Sequence, residues 1–366
     1  MGDIAVIFGG PSPEHDVSIL TGLQAVRELA RSNSVVAIYW TKNGSFVEVD
    51  ATLEASAFAD GVPKGSSPLE LRIGIGFVAE GKRLSKDRVV DLDAAILCTH
   101  GGPGEDGTLQ GALDLAGISY GGPSVAGAAI GMDKLAFSSV LADHGIAVLP
   151  RRALTEELSS VDFDGPYIVK PRFGGSSIGI DVVADFATAK ARLSSNVHLR
   201  SGAVIEPFRA DLADLQIAVR TYPSLQLSAI ERPIKTSQAS EILDYRDKYV
   251  GGEGMASAPR ELPATLSPER TAQVHEAARA VASLASIRGV ARIDFMEGEA
   301  GCFVNEVNTI PGSLARYLFI EPPVSFGQLL GDLVAEAIER PTHRYSSAGA
   351  DGLVLRGAAS IAAKLA

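Results

Sequence analysis

The residues best suited to chemistry lie near the C-terminal end, in "ARIDF" and "NEVN". Arg292 and Asp294 alternate with apolar residues in the first stretch, and Glu306 and Asn308 flank a valine in the second. Residues two apart share a strand face, so a hairpin with "EGEAG" as its loop would gather all four on one side. Mg²⁺ prefers such carboxylate and amide oxygens, usually together with substrate phosphates. The alternative is a solvated face with an Arg–Glu pair, and the strongly apolar neighbours favour the metal site.

A glycine-rich turn, "KPRFGGSSIG", is the second candidate for chemistry. Lys170 lies on a predicted strand, and Gly174, Gly175, Ser176 and Ser177 form the turn that follows. Glycines let the backbone approach a phosphate closely, and serine hydroxyls add donors. The pattern is not a Walker loop, because the lysine precedes the glycines and no helix start follows. An ordinary hairpin tip remains the alternative for this segment taken alone.

Three polar loops could add a substrate site. "GGPSPEHDVS" contains Glu14 and Ser18, and a carboxylate there could bind an ammonium group, although acidic residues also favour any helix N-terminus. "THGGPGEDGTLQG" contains His100, for which a purely structural histidine is the alternative. "DYRDKY" contains Lys248 and Tyr249, and its setting is typical of a surface loop or of a mobile loop that closes over reactive phosphates.

Alternating strands and helices must position these residues. The strand-like runs "DIAVIF", "SVVAIYWT" and "AAILCT" alternate with a helix from about Ser18 to Ala30 and with the helical "TLQGALDLAG". This order predicts a doubly wound parallel sheet, whose ligands collect beyond the C-terminal strand ends. Further along, Ser267 as N-cap, Pro268 at the first helical position and Gly289 as the stop predict a long helix.

Composition excludes several classes of protein. The chain has 366 residues, 46% of them hydrophobic, and a formal net charge of -11. That charge argues against a general nucleic-acid binder and against a protein that binds anionic membranes. No apolar run reaches membrane-spanning length, and the N-terminus lacks a basic leader. Cys98 and Cys302 match no zinc or redox spacing and are expected to be buried thiols of a cytoplasmic protein.

Seven motifs together resemble the D-alanine–D-alanine ligases, members of the ATP-grasp superfamily. In chain order they read "FGGPSPEHDVS", "HGGPGEDGTLQG", "GMDK", "VKPRFGGSSIG", "DYRDKY", "ARIDF" and "NEVNTIPG", within about residues 3 to 335. The resemblance implies an ATP-grasp fold preceded by a doubly wound parallel-sheet α/β domain. The implied ranges are 1–123 for the N-terminal domain, 124–205 and 206–340 for the ATP-grasp subdomains, 244–258 for a mobile loop and 341–366 for a tail.

The resemblance also implies a reaction and its cofactors. Ligases of this family join two amino acids through an acyl phosphate, above all D-alanine to D-alanine for peptidoglycan precursors. We expect ATP and two Mg²⁺ ions, with Mn²⁺ as a substitute, small amino acids as substrates and a homodimer. The residues expected to bind ATP are Lys134, Lys170, Ser176, Ser177, Glu206, Phe208, Arg209, Asp214 and Lys248, and those expected to bind the metal are Asp294, Glu306 and Asn308. Within the first set, the segment from Glu206 to Arg209 is expected to be the hinge that meets adenine.

Matching motif positions imply the catalytic roles. Glu14 should bind the ammonium group of the first amino acid, and Ser176 and Tyr249 should form a hydrogen-bonded set with it. Arg292 and the Gly312 amide should stabilise the tetrahedral oxyanion. The residues expected to contact amino-acid substrates are Glu14, Ser18, His100, Arg292, Arg316, Tyr317 and Leu318.

Two departures from the family pattern bear on specificity. Asp214 stands where the family has a ribose-binding glutamate, and Tyr317 stands where it has a small hydroxyl residue for the second amino acid's carboxylate. Tyr317 or Arg316 could take over that carboxylate, and either would change the room left for the acceptor side chain. One hypothesis is therefore a ligase with an altered acceptor, as in D-serine, D-lactate or specialised dipeptide ligases. Use of D-alanine at both positions would contradict this hypothesis. A non-catalytic nucleotide-binding protein is disfavoured, because the expected metal ligands are all present.

Overall fold

The structure is a computed structural model that describes residues 2–81, 86–234, 259–342, 346–358, 360, 361 and 364. Lys248, Tyr249 and the loop predicted near 244–258 lie outside the described residues. The helices are α1 (His15–Leu29), α2 (Thr108–Ala116), α3 (Val125–Met132), α4 (Lys134–Asp143), α5 (Phe186–Ser195), α6 (Pro268–Leu284), α7 (Phe326–Glu339) and α8 (Leu353–Arg356). The 3-10 helices span Ala55–Phe58, Gly102–Gly104 and Val197–Leu199, and the helical turns of Gly312–Leu318 are interrupted by the left-handed residues Ser313, Leu314 and Ala315. Within the described ranges, no helix has the length and apolar character needed to span a membrane.

The first sheet contains the parallel strands that the sequence predicts. Its strands are β1 (Asp3–Gly9), β2 (Val35–Trp40), β3 (Phe46–Val49), β4 (Ser67–Arg72), β5 (Gly76–Ala79), β6 (Arg88–Val89), β7 (Leu92–Leu97) and β8 (Tyr120–Gly121). The order is β6-β5-β4-β3-β2-β1-β7-β8, and the last four are parallel, which confirms the prediction for this part. The strands β3 to β6 add an antiparallel extension that the sequence pattern does not predict, because they are only two to six residues long.

The other two sheets are antiparallel. The second contains β9 (Arg152–Leu154), β10 (Tyr167–Pro171), β11 (Asp181–Val183) and β12 (Ala203–Pro207), and the third contains β13 (Ala213–Arg220), β14 (Gln226–Pro233), β15 (Arg260–Glu261), β16 (Val290–Gly298) and β17 (Gly301–Asn308). The predicted hairpin is β16–β17, and its register pairs Arg292 with Asn308 and Asp294 with Glu306, as predicted. Its turn is shorter than predicted, because both strands extend into "EGEAG".

The chain after β17 leaves the third sheet and packs in the core of the first. Ile310, Leu314 and Leu318 are buried there, together with residues of α7, which lies against β7 and β8. This crossing brings the end of β17 against the loop after β7, where His100 and Glu105 contact Ile310. The proposed domain ranges stay predictions.

The predicted N-terminal cap of α6 is confirmed, and its predicted end is wrong. Ser267 accepts a hydrogen bond from the Arg270 N–H, and Pro268 is the first helical residue. The helix ends at Leu284, well before Gly289. Gly289 has a φ of +76°, and a Cβ there would lie 3.1 Å from the Gly122 Cα, so this glycine is needed for close backbone approach.

Both cysteines are buried, as the sequence predicts. Cys98 is 0% exposed and Cys302 is 4% exposed, and both are free thiols. Burial raises the pKa of each thiol.

Helix α1 approaches β1 so closely that a side chain does not fit between them. A Cβ at Gly22 would overlap the side chain of Phe8, whereas a Cβ at Gly331 on α7 would meet open space. We expect Gly22→Ala to lower the free energy of unfolding by about 1–3 kcal/mol through overpacking. Gly331→Ala, the matched control, should raise it by about 0.5–1 kcal/mol. Urea denaturation followed by circular dichroism measures both, and equal effects of the two substitutions would contradict the close approach.

Candidate active site

A cleft between the second and third sheets brings the predicted nucleotide residues together. It encloses about 1080 Å³ of empty space including its open mouth, which is ample for a nucleotide. The described residues expected to bind ATP all line it: Lys134, Lys170, Ser176, Ser177, Glu206, Phe208, Arg209 and Asp214. Asp294 and Glu306 line the same cleft, so the predicted phosphate and metal residues face one space.

A buried ion cluster holds one wall of this cleft. Glu206 on β12 is 1% exposed, and its carboxylate accepts hydrogen bonds from Arg151 Nε at 2.7 Å and from Lys170 Nζ at 3.0 Å. Burial alone would raise the pKa of the Glu206 carboxyl, but the two cations outweigh it and lower the pKa to about 2. Arg151 also donates to the main-chain oxygens of Lys134 at 2.6 Å and Asn305 at 3.2 Å. One guanidinium therefore fixes α4, β12 and β17 relative to one another.

This cluster includes the first residue of the predicted adenine hinge. The carboxylate of Glu206 accepts from Arg151 and Lys170, so the main chain of this residue is the part expected to meet a base. Phe208 and Arg209 follow at the rim of the cleft. The Arg209 guanidinium forms a bidentate pair with Asp211 at 2.6 and 2.7 Å.

The glycine-rich turn is fastened to the start of α4. Arg172 donates to both carboxylate oxygens of Asp133 at 2.8 and 2.6 Å, and Asp133 caps α4 by accepting from two of its first N–H groups. Lys134 follows the cap, and its Nζ donates to the carbonyl oxygen of Gly174 in the turn. The motifs "GMDK" and "KPRFGG" thus form one unit, which the sequence does not reveal because their residues lie about forty positions apart.

The same turn contacts the first polar loop. Ser176 and Ser177 have φ values of 54° and 59°, a left-handed conformation that is uncommon for residues other than glycine. The Ser176 hydroxyl donates to the Glu14 carboxylate, which follows β1 of the first sheet. The structure therefore joins two of the three residues expected in the hydrogen-bonded set, and Tyr249 lies outside the described residues.

The β16–β17 hairpin presents its polar residues as an ordered group. Arg292 donates to both oxygens of Asp294 at 2.7 and 2.8 Å, and Asn308 Nδ2 donates to Asp294 at 3.2 Å. Glu306 Oε2 lies 4.0 Å from Lys134 Nζ. The strand register shifts at Asn305, which lets this residue and Glu306 both line the cleft although they are consecutive.

The donor set of this hairpin fits a divalent metal of the Mg²⁺ type. Asp294 and Glu306 are paired across the strands, and Asn308 adds an amide oxygen at the next same-face position. Mg²⁺ commonly takes one or two carboxylates and completes its shell with phosphates and water. No cluster of three or more His, Cys, Asp or Glu side chains able to hold a metal occurs within the described residues.

Two residues expected to contact substrate are placed elsewhere. Ser18 is fully buried, and its hydroxyl accepts from the Gly9 N–H at 2.7 Å and donates to the Cys98 carbonyl at 2.8 Å. It ties β1 to β7 and has no surface left for a substrate. His100 is 4% exposed, and its ring nitrogens contact the Ile310 carbonyl at 2.6 Å and the Thr21 hydroxyl at 2.9 Å. His100 is covered by the chain that returns after β17, whereas Ser18 lies on α1 between the end of β1 and the end of β7.

The segment after Pro311 splits the expected acceptor residues between opposite sides. Arg316 is exposed and stacks on Phe326 at 5.2 Å, beside the outer face of α1. Leu318 is fully buried in the first core. Tyr317 instead packs under Arg260 at 4.7 Å. Burial raises the pKa of the Tyr317 hydroxyl to about 12, although the nearby charge of Arg292 opposes the shift. Its hydroxyl is buried without a hydrogen-bond partner among the described residues.

A left-handed turn produces this split. Ser313, Leu314 and Ala315 have φ values of 50°, 50° and 48°. Each such residue costs about 1–2 kcal/mol relative to a right-handed conformation, so tertiary contacts must hold the turn. None of the three left-handed residues is a glycine, so the sequence does not indicate a left-handed turn at these positions. The direction of Arg316 is therefore not predictable from the residues alone.

Arg151 and Glu105 are two buried residues of the site for which the sequence predicts no role. Arg151 gives no local signal, because an arginine beside a strand is usually exposed. Glu105 lies in the quoted motif "HGGPGEDG", and its carboxylate accepts from the N–H groups of Gly101 at 2.9 Å and Ile310 at 3.0 Å. Burial and then the nearby charge of Glu14 raise the pKa of the Glu105 carboxyl to about 7, although its hydrogen bonds oppose the shift.

Comparison with known proteins places the whole arrangement in one group. Residues 3–123 match the family model "D-ala D-ala ligase N-terminus", and residues 128–339 match "D-ala D-ala ligase C-terminus".

A D-alanine–D-alanine ligase of Corynebacterium aurimucosum is 31% identical over 92% of this chain and 98% of its own length. The crystal structure of the D-alanine–D-alanine ligase of Helicobacter pylori is 26% identical, with a TM-score of 0.73 over 94% of this chain and all of that one. The D-Ala:D-Ser ligase VanG of Enterococcus faecalis is 25% identical, with a TM-score of 0.74 over 92% of this chain and 99% of its own. These similarities confirm the predicted ATP-grasp fold.

Neighbouring arginines test the buried ion cluster. Arg151→Met should lower the free energy of unfolding by about 3 kcal/mol, because it leaves the Glu206 carboxylate short of one partner. It should also weaken ATP binding about tenfold, since Lys170 is then drawn more strongly to Glu206. Arg152→Met is the matched control, because Arg152 is half exposed and pairs with Asp162 at the surface, where loss of a pair costs about 0–1 kcal/mol. Thermal unfolding and calorimetric titration with ATP measure both, and similar losses in the two variants would refute the cluster's role.

The raised pKa of Glu105 predicts a pH dependence of stability. Its protonated form is favoured in the folded chain, so its stabilising contribution is complete below about pH 4.5 and is lost as the pH rises to about 7. The free energy of unfolding of the natural chain, relative to Glu105→Gln, should therefore fall by about 3 kcal/mol across that window and stay level above it. Denaturation series at several pH values measure the difference. A difference that does not change with pH would count against a raised pKa.

Proposed function

Because this chain belongs to the D-alanine–D-alanine ligase family, we propose that it joins two D-alanine molecules at the expense of ATP for peptidoglycan precursors. One observation carries the proposal. The Glu14–Ser176 hydrogen bond places the expected ammonium-binding carboxylate beside the turn that borders the lysine-lined cleft. Relatives that carry the same ligase name along most of the chain favour D-alanine over other acceptors.

In the first step, a carboxylate oxygen of the first D-alanine attacks the γ-phosphorus of ATP. The bond to the leaving ADP oxygen breaks, and an acyl phosphate forms. Lys134 and Lys170 line the cleft and neutralise phosphate oxygens, which is the main demand of phosphoryl transfer. Glu14 holds the ammonium group, so that the carboxylate is aimed at the phosphate. Lys248 approaches the γ-phosphate in this proposal, by its motif position.

In the second step, the amine of the second D-alanine attacks the acyl carbon after losing a proton. The tetrahedral intermediate then expels phosphate, and the new C–N bond remains. The Gly312 N–H and the Arg292 guanidinium donate to the developing oxyanion, and Asp294 holds that guanidinium through two hydrogen bonds. Backbone and guanidinium donors that are fixed in advance stabilise such charge without rearrangement.

Asp294, Glu306 and Asn308 would hold two Mg²⁺ ions, for which Mn²⁺ could substitute. When bound, the ions neutralise phosphate oxygens and align the phosphate for displacement. The amide N–H of Asn308 donates to Asp294, and the amide oxygen, which this hydrogen bond does not use, would serve as the metal ligand. Asp214 lies on β13 at the cleft wall. In this proposal its carboxylate binds the ribose of ATP, through a shorter side chain than the family's glutamate.

Tyr317 is the acceptor-side residue that the geometry favours. Its hydroxyl lies among the charges of Arg292, Arg260 and Glu231, whereas Arg316 lies on the opposite side of the segment over Phe326. The proposal therefore assigns the second carboxylate to Tyr317 and not to Arg316, with D-alanine as the acceptor. A homodimer, a cytoplasmic location where ATP is supplied, and division of the chain at 123/124, 205/206 and 340/341 belong to the same proposal.

The direct test is ATP-dependent phosphate release with pairs of amino acids, followed by mass spectrometry of the product. The proposal expects release with D-alanine alone and a product of the mass of D-alanyl-D-alanine. Release that requires D-serine, D-lactate or an L-amino acid as acceptor would replace it with the altered-acceptor hypothesis. Absence of release with every pair would replace it with the non-catalytic one.

Two glutamates of the same hairpin test the metal site. Glu306→Gln removes one expected ligand charge and should lower kcat by about a thousandfold, because metal neutralisation of phosphate is worth several kcal/mol. Glu299→Gln changes an exposed residue at the turn of this hairpin and should leave kcat unchanged. Binding of Mn²⁺ in the presence of ADP, measured by electron paramagnetic resonance, should weaken only in the first variant. Normal turnover by Glu306→Gln would remove this residue from the ligand set.

A further inference from the structure

The segment that carries Gly312 is hydrogen-bonded to side chains from the loop after β7 and from helix α1. Ile310 has both of its main-chain groups engaged: its N–H donates to Glu105 at 3.0 Å, and its carbonyl accepts from His100 at 2.6 Å. One residue after Gly312, the Ser313 N–H donates to the Thr21 hydroxyl at 3.0 Å. The chain is thus fixed on both sides of Gly312 by residues about 200 to 290 positions away in sequence.

The protons in this network can be assigned from chemistry. The Ile310 carbonyl can only accept, so His100 Nδ1 carries a hydrogen. Burial, the main cause, lowers the pKa of His100 to about 4, so the ring is neutral and Nε2 is an acceptor. The Thr21 hydroxyl therefore donates to His100 and accepts from Ser313. One buried hydroxyl, 1% exposed, links the two anchoring points.

The residues between the anchors have little freedom of their own. Pro311 has a ring-fixed φ of -73°. Beyond Ser313, the left-handed residues Leu314 and Ala315 are buried in the first core. Within the described part of the chain, the Gly312 N–H donates to no protein acceptor. An anchored segment with one uncommitted N–H is the arrangement that a fixed oxyanion donor requires.

We propose that Thr21, His100 and Glu105 form a clamp whose role is to position the Gly312 N–H for the second step of the reaction. They are positioning residues, since they act on Gly312 through Ile310 and Ser313. This inference rests on the proposed function, because the oxyanion arises only in the ligase reaction. It replaces the expectation that His100 contacts substrate directly.

The clamp predicts a specific kinetic defect. Thr21→Val keeps the side-chain shape and removes the hydroxyl, so the Ser313 N–H and His100 Nε2 lose their partner. We expect kcat to fall by about ten- to a hundredfold, short of the loss expected when an oxyanion donor is removed outright. The KM for ATP should stay within about twofold, because the nucleotide cleft does not touch the clamp. Thr21→Ser retains the hydroxyl and should restore most of the rate.

A second threonine provides the matched control. Thr221 also accepts from a backbone N–H, that of Gly289 at 2.9 Å, and donates to a buried acid, Glu336, at 2.9 Å. Thr221→Val should lower the melting temperature as Thr21→Val does, yet leave kcat unchanged. Binding of a tetrahedral phosphinate analogue of D-alanyl-D-alanine should weaken in parallel with kcat in Thr21→Val and not in Thr221→Val.

Hydrogen exchange separates failure of the clamp from failure of the proposed function. The amides of residues 310 and 313 should lose protection in Thr21→Val whether or not the chain turns over D-alanine. Unchanged protection there, or wild-type kcat in an active preparation, overturns the clamp. If Thr21→Val does not fold, Glu105→Gln takes its place, because its amide group must face the Ile310 or the Gly101 N–H. Loss of protection in a chain that shows no ligase activity would support the anchoring of residues 310 and 313 by Thr21, and would overturn the proposed function together with the catalytic role of the clamp.

Discussion

The pairing of the buried Glu206 carboxylate with Arg151 and Lys170 is the interaction on which the cleft depends. A carboxylate at 1% exposure is tolerable only when its charge is matched. Arg151 matches it and reaches the main chain on either side, at Lys134 and Asn305. The same contacts therefore offset the cost of burying the Glu206 charge and set the spacing of the cleft walls, which contain the residues predicted to bind phosphate and metal. The Glu206 carboxylate, at the start of the segment predicted to meet adenine, is thus already engaged by these two cations.

A second set of constraints joins the first sheet to this cleft. The chain after β17 returns to the first core, and in doing so it passes the loops after β1 and β7. Glu14 meets the glycine-rich turn through Ser176, while His100 and Glu105 meet Ile310. The residues predicted to bind the ammonium group, the phosphates and the oxyanion are thus brought together from parts of the chain that share no local sequence.

The left-handed turn at residues 313–315 sets the directions of the two residues that follow it. Three consecutive non-glycine residues at positive φ are costly, and the burial of Leu314 and Ala315 holds them in place. The turn sends Arg316 outward to Phe326 and leaves Tyr317 beside Arg260. Arg316 and Tyr317, which the sequence offers equally as residues that could bind the carboxylate of the second amino acid, thereby point to opposite sides.

Local pattern determined the hairpin register, because alternation with period two places Arg292, Asp294, Glu306 and Asn308 on one face wherever the strands pair. It also determined the parallel strands and the cap at Ser267, which depend on near neighbours in sequence. Motif order determined the family. Only the tertiary structure decided that Ser18 and His100 are internal, that Arg151 anchors the cleft and that Arg316 faces away. Those outcomes depend on which distant segment covers a polar group, and burial between distant segments leaves no periodic trace in the chain.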